Sequence, residues 1–272
     1  MTLPKILCIG AQKAGTSWLH ENLSDNPCVW TTPFKELHFF DHKFLPENRS
    51  WTPWHVKSSV RKAKKLVDSN DQDYLSYLDS LTEAPMLNGN WYKRVFSRCS
   101  PDRIGIDITP EYCGIPAEGI EFVKKFLGAD VRIIYIIRSP IQRALSQIAM
   151  NISRHKPDLK SLDDWIREAS KPEVFERGDY FSHVQRWDAQ MDAKSILYLP
   201  FGDIARDPLD FLRRIETFAD IQKGKYPKAT KVVFKGTRVD FPDSVISFLQ
   251  EKLHKQSRFI EERFGSSFSK NT

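Results

Sequence analysis

Two glycines near the start of the chain bracket a short loop that could hold an anion. The apolar run at residues 6–9 ends at Gly10 and predicts a strand buried on both faces. Gly15 closes the loop, and Thr16 or Ser17 could cap the helix that follows. A helix N-terminus after such a loop presents backbone N–H groups and a favourable dipole to a phosphate-like anion. For the loop alone, an ordinary strand-to-helix turn remains the alternative.

The loop differs from the usual nucleoside-triphosphate loop, G-x-x-x-x-G-K-[ST], in the position of its lysine. The glycine spacing is kept, but Thr16 occupies the lysine's place and Lys13 lies inside the loop. Because the cation that would hold a γ-phosphate has moved, the pattern indicates a phosphorylated donor other than ATP.

Two segments carry a resemblance to a known family. Residues 13–18, KAGTSW, resemble the 5′-phosphosulfate loop of sulfotransferases that use 3′-phosphoadenosine 5′-phosphosulfate (PAPS). Residues 35–41, KELHFFD, resemble the heparan sulfate N- and 3-O-sulfotransferase branch in particular. The resemblance implies a P-loop-like nucleotide site, with donor contacts from Lys13, Ala14, Gly15, Thr16, Ser17 and Trp18.

A second donor-binding region is expected after the strand predicted at residues 131–137. Arg138 and Ser146 match the arginine and serine that bind the 3′-phosphate of PAPS in the family, and a guanidinium fork suits phosphate oxygens. A surface ion-pair arginine is the alternative. Lys235 and Gly236, followed by Thr237, resemble the family's late loop over the same phosphate, although the outer lysines of this basic segment could equally be solvated.

The resemblance also assigns catalytic roles. Glu36 matches the glutamate that acts as general base in the heparan sulfate branch, where a carboxylate can take the acceptor's proton. A surface glutamate paired with Lys35 is the alternative. Lys13 is expected to stabilise the charge on the leaving phosphate. His38 is expected near the acceptor and Asp41 as its supporting partner, with a purely structural role as the alternative for each.

Two departures from the branch bear on the acceptor. The heparan sulfate enzymes have a lysine where Ile108 stands in this chain, and their late paired cysteines are absent because the last cysteine here is Cys113. Both differences argue against heparan sulfate itself as the acceptor, although not against sulfuryl transfer.

Strands alternate with helices along the chain, which predicts a parallel α/β sheet covered by helices. We expect one domain over residues 1–272. Besides the strands at 6–9 and 131–137, short strands are predicted at 28–32, 103–109 and 196–199. Residues 42–60 read as a loop containing Pro46 and Pro53, followed by a basic helical run. The helices predicted elsewhere span residues 74–81, 120–127, 141–153, 162–169, 180–191, 208–219 and 244–264.

Composition places few further limits. Lys and Arg exceed Asp and Glu by 41 − 35 = 6, and a pI near 9.0 favours acidic ligands. The four cysteines lack C-x-x-C spacing and the histidines lack ligand spacing, so no metal is expected. No apolar run is long enough for a membrane span, and the first strand leaves no room for a signal peptide. A cytoplasmic protein with no nucleic-acid partner is the expectation.

Together these patterns favour an enzyme that moves a sulfuryl group from PAPS to a hydroxyl or amine, releasing 3′,5′-phosphoadenosine (PAP). A glycan is the leading acceptor class by resemblance of KELHFFD. A small-metabolite hydroxyl or a carrier-bound hydroxyacyl group is the alternative acceptor. An ATP-dependent phosphotransferase and a non-enzymatic polyanion-binding module remain open as other functions.

Overall fold

One five-stranded parallel sheet forms the centre of the protein. The structure is a computed structural model that describes residues 3–231 and 236–272. The strands are β1 (Ile6–Gly10), β2 (Val29–Thr31), β3 (Ile104–Ile108), β4 (Arg132–Ile137) and β5 (Ile196–Pro200). Their order across the sheet is β2-β3-β1-β4-β5, and each neighbouring pair is parallel. The predicted α/β fold with a central parallel sheet is confirmed.

Helices connect these strands and cover the sheet. They are α1 (Thr16–Leu23), α2 (Phe39–Phe44), α3 (Thr52–Lys64), α4 (Gln72–Ser80), α5 (Gly89–Val95), α6 (Ala117–Leu127), α7 (Pro140–His155), α8 (Leu162–Ala169), α9 (Pro172–Phe175), α10 (Tyr180–Gln190), α11 (Asp203–Arg206), α12 (Pro208–Ala219), α13 (Asp243–Phe264) and α14 (Ser266–Lys270). Short 3₁₀ helices span Pro46–Ser50, Phe96–Arg98, Pro110–Gly114, Glu176–Gly178 and Ala193–Ser195.

The central strands are apolar because helices cover both of their faces. Residues 6–9 of β1 and 133–137 of β4 are all at most 1% exposed. Burial of each large aliphatic side chain contributes about 1.5–3 kcal/mol relative to an exposed one. These two strands therefore form a rigid base for the loops that leave their carboxyl ends.

The strand order reverses direction between β1 and β4. The chain runs from β1 outward to β2, returns through β3 beside β1, and then crosses to β4 on the other side. In open parallel sheets, ligands bind in the crevice at the carboxyl ends of the strands where the order reverses. The loop after β1 and Arg138 after β4 both lie at this crevice.

The prediction of a loop at residues 42–60 is wrong. This stretch contains the end of α2, a 3₁₀ helix and the first nine residues of α3. Pro53 does not interrupt α3 because it stands in the first turn. A backbone N–H at that position would have no acceptor within the helix, so its absence in proline breaks no hydrogen bond. Pro46 likewise begins the 3₁₀ helix.

An aromatic cluster fixes the segment that contains Glu36. Phe39 and Phe40, at the start of α2, are at most 2% exposed. The Phe39 ring stacks on Tyr92 at 4.6 Å between centroids, and the Phe40 ring meets Tyr112 edge to face at 5.0 Å. These contacts join α2 to α5 and to the 3₁₀ helix after β3.

Among the residues described, no helix has the length and apolar character needed to cross a membrane.

Replacing Phe40 by alanine tests this anchor. The change removes a fully buried ring, so we expect the free energy of unfolding to fall by about 3–5 kcal/mol in urea titrations. Trp54→Ala is the control, since its ring is 71% exposed and its loss should change stability by at most about 0.5 kcal/mol. Equal losses in the two variants would contradict the anchoring role.

Candidate active site

The loop between β1 and α1 is held by backbone hydrogen bonds. Ala11 N donates to the carbonyl of Ile136 on β4 at 2.8 Å, and Ala14 N donates to the carbonyl of Ala11 at 3.1 Å. Gly15 has φ 77° and caps α1, so the prediction that Thr16 or Ser17 caps the helix is wrong. The positive φ favours glycine at this position, and a Cβ there would lie 2.6 Å from Ile204 Cδ1, so the Ile204 side chain would have to shift.

Arg138 contacts this loop directly. Its Nη1 donates to the carbonyl of Lys13 at 2.6 Å, and its guanidinium lies over the Phe201 ring at 4.6 Å. Its backbone N–H donates to the hydroxyl of Tyr180 at 3.2 Å. Within the described part of the chain, the buried Nε has no hydrogen-bond partner. Arg138 and Lys13 thus meet, although the sequence separates them widely.

Lys13 brings a positive charge to the crevice. Its Nζ lies 3.6 Å from Met150 Sδ, and no carboxylate of residues 3–231 or 236–272 forms an ion pair with it. Burial lowers the pKa of Lys13, and the charges of Arg154 and Arg138 lower it further. A positive charge without a partner, beside another positive charge, favours an anionic ligand.

Lys35 joins the start of α1 to Glu36. Its Nζ donates to Thr16 Oγ1 at 2.9 Å and forms an ion pair with Glu36 Oε1 at 2.7 Å. Burial works against ionisation of Glu36, but Lys35 and His38 outweigh it and hold the pKa of Glu36 below its usual range. Glu36 is therefore a carboxylate at neutral pH. From the sequence, Lys35 is expected only as an ion-pair partner of Glu36, and its contact with Thr16 depends on the fold.

His38 is buried against Asp41 and two further rings. Its Nδ1 lies 3.0 Å from Asp41 Oδ2, and its Nε2 lies 4.0 Å from Glu36 Oε2. Burial disfavours the charged imidazole, but Asp41 outweighs burial and raises the pKa of His38 to about 9. The rings of Trp51 and His55 pack against it edge to face at 4.6 and 4.7 Å. Asp41 is thus the supporting partner of His38 that the sequence predicts.

A buried carboxylate on β3 positions the backbone of this segment. Asp107 accepts hydrogen bonds from the hydroxyls of Tyr92, Thr109 and Tyr112 at 2.9, 2.7 and 2.8 Å. Thr109 Oγ1 in turn accepts from the backbone N–H of Leu37 at 2.9 Å, and the Tyr112 hydroxyl accepts from that of Phe39 at 3.1 Å. Asp107 therefore acts on the site through two hydroxyl groups.

These backbone contacts hold two residues in unfavourable conformations. Glu36 has φ 68° and His38 has φ 55°, in the left-handed region that costs a non-glycine residue about 1–2 kcal/mol. The backbone N–H of Glu36 also donates to the carbonyl of Ile108 at 3.1 Å. Because bonds from neighbouring groups compensate for the cost of this strain, the backbone conformation of Glu36 and His38 is fixed before any ligand binds.

A second carboxylate, Glu111, lies behind the loop. Its Oε1 accepts from Gln12 Nε2 at 3.0 Å, and Gln12 Oε1 accepts from Arg177 Nη1 at 2.6 Å. Burial raises the pKa of Glu111, while the charge of His38 lowers it. Nothing in the sequence marks Gln12, Glu111 and Arg177 as a group, because they stand on three separate segments that only the fold brings together.

The other residues that the sequence predicts to bind PAPS range from buried to exposed. Ser146 is half-buried on α7, the helix that begins after Arg138, and Ser17 is half-buried on α1. Ala14 and Trp18 are buried, and Trp18 Nε1 donates to the carbonyl of Ala229 at 2.9 Å. Gly236 and Thr237 are exposed, and a Cβ on Gly236 would meet no atom within 4 Å. Lys235 lies outside the described residues.

Comparison with known proteins identifies the family. The model of the sulfotransferase family matches residues 4–224. The chain belongs to the sulfotransferase family. The predicted membership is confirmed, as is the likeness to the heparan sulfate branch.

This sulfotransferase is distantly similar to curated relatives. Heparan sulfate glucosamine 3-O-sulfotransferase 3B1 of Mus musculus is 23% identical over 228 residues, covering 81% of this chain and 47% of that protein. The 3-alpha-hydroxysteroid sulfotransferase of Cavia porcellus is 24% identical over 124 residues, covering 44% of this chain and 41% of that protein. The chain spans about half the length of the curated relatives it matches.

Solved structures share its fold. A sulfotransferase from Alicyclobacillus acidocaldarius superposes with a TM-score of 0.66 at 18% identity, covering 96% of each chain. The sulfotransferase domain from the curacin biosynthetic pathway superposes with a TM-score of 0.55 at 14% identity, covering 93% of this chain and 99% of that one. At these low sequence identities, the two superpositions show a shared fold and carry no statement about function.

The Asp107 network gives a pH dependence of stability. Burial raises the pKa of Asp107 to about 6, and its three hydroxyl partners oppose that shift. The folded state therefore holds this proton more tightly than the unfolded state, in which the carboxyl has its ordinary pKa of 3.8. The contribution of Asp107 to the free energy of unfolding is expected to fall as pH rises from about 4 to about 6 and then to level off.

The Asp107→Asn variant should lack this pH-dependent contribution to the free energy of unfolding. In urea unfolding, the variant should gain stability relative to the wild type between pH 4 and pH 7, the window set by the pKa of about 6. Asp68→Asn, an exposed aspartate, serves as the control. A difference between wild type and Asp107→Asn that stays constant across this range would show that Asp107 does not titrate there.

Proposed function

We propose that this chain transfers the sulfuryl group of PAPS to a hydroxyl or amine of an acceptor. The observation that carries the proposal is the double contact of Lys35, which links Thr16 at the donor loop to the ionised Glu36. An anion-binding loop and a carboxylate base at one crevice are the two elements that sulfuryl transfer needs.

The residues at the crevice fit a nucleotide with phosphates at two positions. Arg138 has a buried Nε without a partner in the described chain, and a guanidinium can bind phosphate through two parallel hydrogen bonds. Lys13 and the N-terminus of α1 supply a second positive region next to it. We assign Lys13, Ala14, Gly15, Thr16, Ser17 and Trp18 to the 5′-phosphosulfate side, and Arg138 and Ser146 to the 3′-phosphate.

Glu36 is the proposed general base. PAPS, when bound, supplies a sulfuryl group attached to a phosphate that can leave. As the acceptor oxygen or nitrogen forms its bond to sulfur and the bond from sulfur to the phosphate oxygen breaks, the acceptor's proton moves to Glu36. Pairing with Lys35 makes Glu36 a weak base, so we expect proton transfer late, when the acceptor atom has become acidic.

Two lysines would balance the charge that develops during transfer. Lys13 faces the crevice without a carboxylate partner in the described residues, and Lys35 already contacts Thr16. Preorganised positive charge stabilises a leaving phosphate without further rearrangement.

For the acceptor we propose a glycan that carries negative charge. The curated relatives named above include a heparan sulfate glucosamine 3-O-sulfotransferase. A surface groove of about 630 Å³ lies between α3 and α4, and Lys57, Arg61, Lys64 and Lys65 line it on the α3 side. Asp79 neutralises Lys64 at 2.6 Å, which leaves three positive side chains for an acidic chain. Helix α3 also carries His55, which packs on His38, so the same helix contacts the segment that contains Glu36.

A donor-dependent screen tests this function. Acidic oligosaccharides, amino sugars, small alcohols and carrier-bound hydroxyacyl groups are incubated with PAPS, and products heavier by one sulfate group are detected by mass. Sulfation of an acidic oligosaccharide supports the proposal. Sulfation of only uncharged acceptors overturns the glycan assignment, and phosphorylation with ATP instead of sulfation overturns the reaction.

Arg138→Ala tests the donor site. Loss of the guanidinium should weaken PAP binding at least tenfold in isothermal titration calorimetry, because a hydrogen bond to a charged group is worth about 1.5–3 kcal/mol. Arg167→Ala is the control, since the Arg167 side chain is 72% exposed on α8. Unchanged PAP affinity in Arg138→Ala would exclude Arg138 from the donor site.

Glu36→Gln separates catalysis from donor binding. The variant should keep PAP affinity within about threefold and lose at least about 100-fold in turnover, the range expected for removal of a general base. Glu47→Gln, an exposed glutamate, should retain both properties. Wild-type turnover by Glu36→Gln on the acceptor from the screen would disprove the base assignment.

A further inference from the structure

Three side chains with metal-binding atoms converge beside the donor loop. Ligand atoms of Glu36, His38 and His55 all lie within 4.8 Å of one another. The sequence gives no sign of this group, because His55 stands on α3 while the other two precede and begin α2. Two imidazoles and one carboxylate form a set that suits zinc and similar transition metals.

The atoms of these side chains that could bind a metal lie close to one another. Glu36 holds Lys35 through Oε1, and its other oxygen, Oε2, lies 4.0 Å from His38 Nε2. Around a tetrahedral zinc ion, neighbouring ligand atoms lie about 3.3 Å apart, given bond lengths near 2.0–2.2 Å. The ligand atoms, now up to 4.8 Å apart, would have to approach by up to about 1.5 Å to close the site. The Glu36 side chain, 24% exposed, would make part of this movement through its own torsion angles.

Asp41 prepares His38 for such a role. Its Oδ2 lies 3.0 Å from His38 Nδ1 and also accepts from Asn48 Nδ2 at 2.7 Å. A histidine that binds metal through one nitrogen usually donates the other N–H to a carboxylate, which fixes the ring and leaves Nε2 as the ligand. Since Asp41 raises the pKa of His38 to about 9, Nε2 carries a proton at neutral pH, and the metal ion would displace that proton on binding. The negative charge of fully buried Asp41 also favours a cation at the centre of the group.

Competing contacts at His55 are weak. Its Nε2 lies 3.4 Å from the hydroxyl of Ser59, and the ring also interacts with the backbone of Lys35. Neither partner is charged. A metal ion would therefore replace at most one neutral hydrogen bond at this ligand.

We propose that Glu36, His38 and His55 bind a divalent transition metal such as Zn²⁺, and that the bound ion inhibits sulfuryl transfer. The three ligands leave one tetrahedral position for water. Inhibition rests on the proposed function, because it follows from occupation of Glu36 Oε2, the oxygen that would take the acceptor's proton. Metal binding itself does not depend on that function.

Calorimetry and cobalt spectroscopy test the binding site. Wild-type protein titrated with ZnCl₂ should bind one equivalent, and CoCl₂ should give the visible absorption bands of four-coordinate cobalt. His55→Gln and Glu36→Gln should each weaken Zn²⁺ binding at least tenfold. Circular dichroism and the thermal midpoint establish that each variant is folded.

Matched controls separate this site from other metal-binding histidines. His254→Gln alters an exposed histidine on α13 and should bind Zn²⁺ as the wild type does. MgCl₂ should give no heat of binding, because magnesium prefers oxygen ligands to imidazole. The proposal is overturned if the wild type binds no Zn²⁺, or if His55→Gln binds it with unchanged affinity.

Inhibition is measured on the acceptor found in the screen. Zn²⁺ should reduce wild-type turnover, with a half-maximal concentration close to the calorimetric dissociation constant. In His55→Gln that concentration should rise at least tenfold, each protein being compared with its own rate in the presence of a chelator. Stoichiometric Zn²⁺ binding without loss of turnover would contradict the inhibitory role and leave the sulfuryl-transfer proposal standing.

Discussion

The ammonium group of Lys35 lies between the donor loop and the carboxylate of Glu36. It donates to Thr16 Oγ1 at 2.9 Å and pairs with Glu36 Oε1 at 2.7 Å. Since both contacts are largely buried, water does little to weaken them, and the electrostatic gain exceeds that of an exposed ion pair. Together with His38, this side chain keeps Glu36 ionised, and it sets the distance of Glu36 from the start of α1.

The contacts of Lys35 depend on the backbone beneath it. Asp107, buried on β3, orients the hydroxyls of Thr109 and Tyr112, and these bind the backbone N–H groups of Leu37 and Phe39. The aromatic cluster around Phe39 and Phe40 fixes the same segment from the other side. Because β3 pairs directly with β1, the segment with Glu36 and the loop with Lys13 share one rigid frame.

On the opposite side of β1, strand β4 brings Arg138 to the same crevice. The pairing of β1 with β4 and the bond from Arg138 Nη1 to the Lys13 carbonyl fix the distance between two positive regions. The strand order β2-β3-β1-β4-β5 therefore brings the proposed base Glu36 and the proposed anion-binding residues Lys13 and Arg138 to the same edge of the sheet. This arrangement follows from the reversal of strand order beside β1.

Much of this fold was predictable from local sequence. Runs of buried aliphatic residues mark β1 and β4, and the predicted limits of the helices at 162–169 and 208–219 agree with α8 and α12. The stretch at 42–60 was misread because a proline in the first turn of a helix looks the same in sequence as one in a loop.

The candidate site was predictable only where motifs are contiguous. Lys13, Glu36 and Arg138 stand in recognisable segments, and the fold brings these segments together. The role of Lys35 depends on its contact with Thr16, and His55 and Glu111 enter through packing between separate elements. Such contacts between distant residues leave no spacing pattern that a single sequence could show.

The central claim is that the loop after β1 and the arginine after β4 bind one bisphosphorylated adenosine nucleotide. Isothermal titration calorimetry of the wild-type protein with PAP, and separately with ATP, tests it most directly. We predict saturable binding of one PAP per chain and binding of ATP at least tenfold weaker. No heat of binding with PAP, or equal affinity for both nucleotides, would contradict the account.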